Sequence, residues 1–271
     1  DEIEEEQQLL VDDTYGSLRI ISDDVVIRFE RRERNQLYSI KVGNEELLQA
    51  PMRLNFWRAL TDNDRGTRAG SRLGCWRDAG DTPGIFNDTK WSIEGYKILD
   101  DGKKVVVTSG ATVCTQPESK ASIVYTITSK GMEINLHFYP DPSLPEIPEV
   151  SLLFELPKDF ENVTYLGNGP EENYIDRANA AKIGLYNTTV SDMWVDYLKP
   201  QECGNRTGVR YATLVGDKKV FSLVAEPVME FNACHWLPKE IENVWHQKDL
   251  PEPNKTVVRC IARQQGIGGY D

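Results

Sequence analysis

From about residue 17 onward the rhythm of the chain is two. Val25, Ile27 and Phe29 alternate with Val26, Arg28 and Glu30, and Ile123, Tyr125 and Ile127 alternate with Val124, Thr126 and Thr128. Successive side chains of a strand point to opposite faces, so this pattern predicts half-buried strands. The segment 121–139 reads as a hairpin: Ser129, Lys130 and Gly131 separate the second of these runs from Met132, Ile134, Leu136 and Phe138, which puts His137 on the polar face. The same signature recurs at 105–107, 150–156, 211–215, 220–225 and 256–262, with turn clusters between. Helical patterns are few and short, at 71–79, 178–183 and 238–244, the last with Pro238 at its start. Many strands and almost no helices predict a large antiparallel all-β sandwich rather than βαβ units.

No repeat, low-complexity tract or linker rich in Gly, Ser or Pro divides the chain, so residues 17–271 read as one domain behind a polar lead-in, 1–16, that opens on the acidic run Asp1 to Glu6. A chain of 271 residues with 39% hydrophobic residues can build a substantial core. With 27% charged residues and no apolar run near ~20 residues, membrane-spanning helices are excluded. The formal charge of −12 would repel a nucleic-acid backbone. The sequence has neither an initiator Met nor a signal segment and reads as a piece of a longer polypeptide. Cys75, Cys114, Cys203, Cys234 and Cys260 are odd in number and widely spaced, which predicts free thiols rather than disulfides or a zinc site.

Generic catalytic chemistry finds little support. A retaining glycosidase needs two carboxyl groups about 5 Å apart on separate rigid elements. The candidate carboxylates here, Asp62 with Asp64 and Glu171 with Glu172, are sequence neighbours in turn-rich stretches, where such groups cap backbone N–H groups or pair with Arg. Asp62, Asp64 and Arg65 look like a self-braced loop. As a calcium loop, 62–66 fails on compressed spacing and the lack of a Glu at the twelfth position. His137, His235 and His246 lie in no nucleophile signature, and His235 reads as a packed ring. The glycines at 266–269 end the chain, where a dinucleotide cradle has no helix to open.

The motifs are more specific than this chemistry. The stretch Ala50-Pro51-Met52-Arg53-Leu54-Asn55-Phe56-Trp57-Arg58-Ala59-Leu60-Thr61-Asp62-Asn63-Asp64-Arg65-Gly66 resembles the opening of the small-chain domain of family 2 β-galactosidases, the last domain of the long bacterial enzymes. Three further blocks, Tyr165 to Arg177, Tyr197 to Arg206 and Gly266 to Asp271, resemble it in the same order. The resemblance implies a β-supersandwich like that of galactose mutarotases. It also implies a non-catalytic role, because the family's acid/base and nucleophile glutamates, with Mg and Na, belong to an upstream (β/α)8 barrel that this strand-rich chain does not contain. That barrel, on the same polypeptide or in a large subunit, is the expected partner, and a terminal β-D-galactoside the expected substrate of the whole enzyme; no cofactor is expected in this chain.

By the same resemblance the substrate-proximal residues are Asp62, Asn63, Asp64, Arg65, Gly66, Gly268, Gly269 and Asp271. Residues 65–74 are expected as a surface loop facing the barrel, with Gly66 supplying unusual backbone angles, and 266–271 are expected near the same face. Two departures stand out. The family continues past the final Asp with Ser-Trp, whose Trp walls the sugar site, whereas this sequence ends at Asp271; and Cys203 replaces the usual Asn of Pro-Gln-Glu-Asn-Gly. A stand-alone aldose mutarotase would need a His and a carboxylate in a catalytic block, and a carbohydrate-binding module would need a platform of exposed aromatic rings; both remain open as alternatives.

Overall fold

In the computed structural model, described here for residues 6–31, 36–79 and 89–268, strands dominate and pair in antiparallel fashion. The fold is all-β. The chain divides into two compact units, Asp1–Met52 with Thr82–Leu144, and Arg53–Asp81 with Pro145–Asp271. No linker composition marks the first division, because it falls inside a strand, β6, introduced below.

In the first unit, strands β1 (Leu10–Thr14), β2 (Ser17–Ser22), β3 (Val25–Glu30), β4 (Leu37–Val42) and β5 (Glu45–Glu46) form a meander in chain order. Residues 10–14, read from sequence as part of a polar lead-in, are thus a paired edge strand, Leu10 opposite Ile21. Their alternation is hidden because an edge strand carries polar side chains on both faces. After β6 (Ala50–Asn55), the chain returns to this unit for β7 (Lys90–Leu99), β8 (Lys104–Val113), β9 (Ser119–Thr128) and β10 (Gly131–Tyr139), a second meander that contains the expected hairpin. Buried Leu18, Ile20, Ile27, Phe29 and Leu37 of the first sheet, and Val105, Val107, Ile123, Tyr125 and Ile127 of the second, make the core. Phe29 meets Tyr125 edge to face at 4.9 Å, joining the sheets. His137 is exposed, as its alternation requires.

The second unit is built on a seven-stranded sheet. Its strands β11 (Glu149–Pro157), β12 (Asn162–Gly169), β13 (Lys182–Thr189), β14 (Arg206–Val215), β15 (Val220–Cys234) and β16 (Lys255–Gln264) run in the order β13-β12-β14-β15-β16-β11-β6. Five short helices decorate it: α1 (Asp62–Gly66), α2 (Ala69–Arg72), α3 (Gly74–Ala79), α4 (Val190–Met193) and α5 (Pro238–Glu242). The predicted helix at 178–183 is instead a turn, Ala181 N–H donating to Ala178 O at 3.0 Å, that leads into β13. Pairing with β12, Ile183 opposite Asn168, outweighs the local helical preference. Central strands β15 and β16 are buried on both faces over 230–234 and 256–259, and this is where polar side chains enter the interior.

Candidate functional site

The site grows from the end of β6. Past Asn55 the chain turns inward through Phe56, Trp57 and Arg58, and α1 starts at a capping box: Asp64 N–H donates to Thr61 Oγ1 at 3.1 Å, and Thr61 N–H to Asp64 Oδ2 at 2.9 Å. Arg65 pairs with Asp62 at 3.2 Å, so the run from Asp62 to Arg65 is the self-braced segment expected from sequence. Its form differs from the expected loop, since α1 and α2 occupy most of 62–72. Gly66 is not in the left-handed region; Arg68 is, at φ 59°.

Arg58 is buried and ties the segment to the far end of the chain. Its guanidinium donates to Gln265 O at 2.7 Å, to Gly266 O at 2.8 Å, and to both oxygens of Asp64 at 3.3 Å. Asn63 Nδ2 donates to Ile267 O at 2.8 Å. From the other side Asp176 accepts from Ile267 N–H at 3.1 Å and Gly268 N–H at 2.5 Å. A Cβ at Gly266 would fall 2.4 Å from Asp176 Cγ, so close approach is what this glycine serves. Among the sequence-predicted residues, Asp62, Asn63, Asp64 and Gly268 are therefore brought to one place, Arg65 and Gly66 follow on the same short helix α1, and Gly269 and Asp271 lie outside the described residues.

These segments line a cleft of about 520 Å³ together with Arg177, Tyr197, Gln201 and Glu202, a size suited to a small ligand. Gln201 Oε1 accepts from Asp62 N–H at 2.8 Å. Glu172 receives Tyr197 Oη at 2.5 Å, Arg177 at 3.1 Å and Gly204 N–H at 2.8 Å. Beneath the cleft Arg259 grips Glu202 with two bonds of 2.7 Å through one guanidinium nitrogen and holds Glu149 at 2.5 Å with another. All three side chains are at most 3% exposed, so the charges are compensated by one another, by Asn55 and Ser151, which donate to Glu149 at 2.9 and 2.5 Å, and by Asn232, which donates to Glu202 at 3.4 Å. Tyr174 Oη is buried without a hydrogen-bond partner, and burial pushes its hydroxyl well above its ordinary range.

Burial pushes the Glu149 carboxyl up to about 7, against the pull of Arg259 and with the added repulsion of Glu202. Between the ordinary value of 4.5 and about 7 the folded chain keeps this proton while the unfolded chain loses it. This group's contribution to stability is therefore fully present below 4.5 and falls as pH rises to about 7, by at most about 1.4 kcal/mol per pH unit. Glu149→Gln should remove that slope, measured as the pH dependence of the difference in urea unfolding free energy between wild type and variant; a constant difference from pH 5 to 7.5 would refute it.

Asp176, Glu202, Asp64 and Glu172 each accept hydrogen bonds from named donors. His235 is packed between Lys255 O at 2.9 Å and Glu161 at 3.0 Å, as its sequence context suggests. None of the five cysteines forms a disulfide. Cys203 is buried, its sulfur accepting from Val195 N–H at 3.4 Å. Among the described residues no group of three or more His, Cys, Asp or Glu could hold a metal ion. Sequence reasoning did not single out Arg58, Asp176, Gln201 and Glu202, although all stand inside the quoted blocks. Glu149 and Arg259 lie outside them; Arg259 carries a signal, a charge inside the apolar run Val257-Val258-Arg259-Cys260-Ile261, whereas Glu149 opens its strand and carries none.

Residues 22–271 match the family model described as beta galactosidase small chain. A β-galactosidase of Priestia megaterium is 33% identical over 265 residues, covering 97% of this chain and 25% of the relative. One of Streptococcus thermophilus is 33% identical over 243 residues, covering 89% and 23%. The β-galactosidase small subunit of Latilactobacillus sakei is 26% identical over 293 residues, covering 95% of this chain and 91% of that subunit. The chain thus spans about a quarter of the long relatives and nearly the whole of the short one.

Proposed function

Because this chain belongs to the β-galactosidase small-chain family, we propose that it is the non-catalytic part of a β-galactosidase, completing and gating a sugar site whose reacting groups lie in a catalytic (β/α)8 barrel outside this sequence. The observation that carries the reading is the convergence of Arg58, α1, Asp176 and the segment 266–268 around one polar cleft, although Arg58 and Gly266 are 208 residues apart in sequence. The match to a quarter of two long relatives and to most of a separate small subunit supports the division of labour. On this reading Asp62 and Asn63 form one wall of the rim, carried on α1 with Asp64, Arg65 and Gly66, and Gly268 stands in the other; Gly269 and Asp271 are proposed as substrate-proximal on the sequence resemblance alone. The hydrolytic carboxylates, and the Mg and Na that the sequence resemblance implies, belong to the barrel, whose substrate is a terminal β-D-galactoside.

The chain alone is expected to hydrolyse no chromogenic β-galactoside, and hydrolysis is expected to appear when it is combined with the remaining β-galactosidase polypeptide. Turnover by the purified chain that survives a control for host enzyme would overturn the proposal, as would full activity of the remainder without this chain. Asn63→Ala removes the bond to Ile267 and should raise KM more than it lowers stability, because Asn63 is exposed and its loss creates no cavity.

A further inference from the structure

Apart from the cleft, the second unit carries a recess of about 300 Å³ that shares no lining residue with it. One wall is a corner of two half-buried tryptophans, Trp194 and Trp236, with ring centroids 4.8 Å apart and planes at 60°. Both rings also pack against an apolar cluster that includes Leu153, Ile241 and Val257. Neither indole N–H is left for a ligand: Trp194 Nε1 donates to Gln247 Oε1 at 3.2 Å, and Trp236 Nε1 to Pro251 O at 2.8 Å. Those two bonds instead hold the rest of the lining, 247–253, which Pro251 and Pro253 stiffen. Gln247 is fixed in turn by donating to Tyr197 O at 2.6 Å. The recess is therefore preformed, of a size at the small end for a ligand site, and its tryptophans offer it ring carbon only.

The remaining polar groups are uncommitted. Asp196, Lys248 and Glu252 line the recess, are exposed, and make no hydrogen bond or ion pair among the described residues. An apolar ligand would cover these charges without pairing them. A cation meets Lys248, and an anion meets two carboxylates. Aromatic carbon beside free acceptors and a free donor is complementary to a neutral ring with C–H faces and hydroxyls around its edge.

We propose that this recess is a second saccharide site, taking one pyranose unit, with Trp194 and Trp236 packed on its C–H face and Asp196, Glu252 and Lys248 meeting its hydroxyls. The site is independent of the function proposed above, since no residue that lines the cleft takes part in it.

The test is titration of the isotope-labelled chain with galactose, glucose and lactose, and separately with tetramethylammonium, followed through the tryptophan indole N–H signals. At least one sugar should shift the Trp194 and Trp236 signals saturably, with a dissociation constant of about 1–10 mM. Asp196→Ala and Glu252→Ala alter exposed side chains, so thermal unfolding should be unchanged while each weakens binding about fivefold. Trp236→Leu keeps an apolar contact with the cluster beneath and should weaken binding about tenfold or more. Asn63→Ala, in the cleft, should leave this binding as it is. The inference is overturned if neither indole responds to any of the three sugars up to about 100 mM. It is overturned equally by wild-type affinity in both exposed variants, by sugar binding that Asn63→Ala abolishes while the recess variants retain it, or by a recess that takes up tetramethylammonium and no sugar. Should Trp236→Leu fail to fold, the indole shifts and the two exposed variants still decide.

Discussion

Replacing Arg259 by leucine is expected to lower the unfolding free energy by about 3–5 kcal/mol, enough to unfold a marginally stable chain. Arg259 is the shared counter-charge of Glu149 and Glu202, both almost fully buried. Without it two carboxylates face each other in a low-dielectric interior, and each must either stay charged without a partner or take up a proton. Arg259→Lys keeps the charge but not the fork that reaches both glutamates, and an intermediate loss is expected. Adding Glu149→Gln to Arg259→Leu should recover part of the loss by removing one of the stranded charges. Urea unfolding followed by tryptophan fluorescence measures all three; a loss below about 1 kcal/mol for Arg259→Leu would show that the triad is not stabilised as its geometry implies. Glu202 also lines the cleft, so on the function proposed above variants that still fold should bind substrate more weakly in the assembled enzyme.

Gly204→Ala should be nearly as damaging, for a different reason. The residue sits at φ +79°, and a Cβ there would lie 2.4 Å from Met193 O, a backbone atom that no side-chain rotation can move aside. Left-handed strain alone costs about 1–2 kcal/mol. Relieving the clash must shift the peptide whose N–H donates to Glu172 at 2.8 Å, loosening the Glu172 contacts with Tyr197 and Arg177 at the cleft. A total of about 3 kcal/mol or more is expected. Gly43 is the control: its φ is +60°, but nothing lies within 4 Å of a Cβ, so Gly43→Ala should cost only the strain, about 1–2 kcal/mol. Equal losses at the two positions would show that the Met193 contact relaxes without cost.

The all-β class, most of the strands and the ordered motif blocks could all be read from the sequence. Alternation is a local steric property: each residue of a strand points opposite to its neighbour, so a half-buried strand such as β9 writes its burial directly into residues 121–127. Strands without that contrast were harder. The edge strand β1 is polar on both faces, and β13 begins where the sequence has a helical pattern, because its place is decided by the ladder with β12.

The division into two compact units was not legible, since it runs through β6 rather than through a linker. The site shows the same limit more sharply. Its near-neighbour bracing, Thr61 with Asp64 and Asp62 with Arg65, follows from spacing on one short helical turn. The contacts that make it a cleft do not: Arg58 meets Gln265 across 207 residues, and Arg259 meets Glu149 across 110. The first is a guanidinium on a backbone carbonyl beyond the strand ends; the second exists because β11 and β16 are neighbours in the sheet, which brings Glu149 and Arg259 within reach, and burial then favours pairing of the two charges. Sequence alone therefore determined which residues could form strands and which family blocks they carry. The tertiary structure decided which charges share an interior, because desolvation acts on neighbours in space, whatever their distance along the chain.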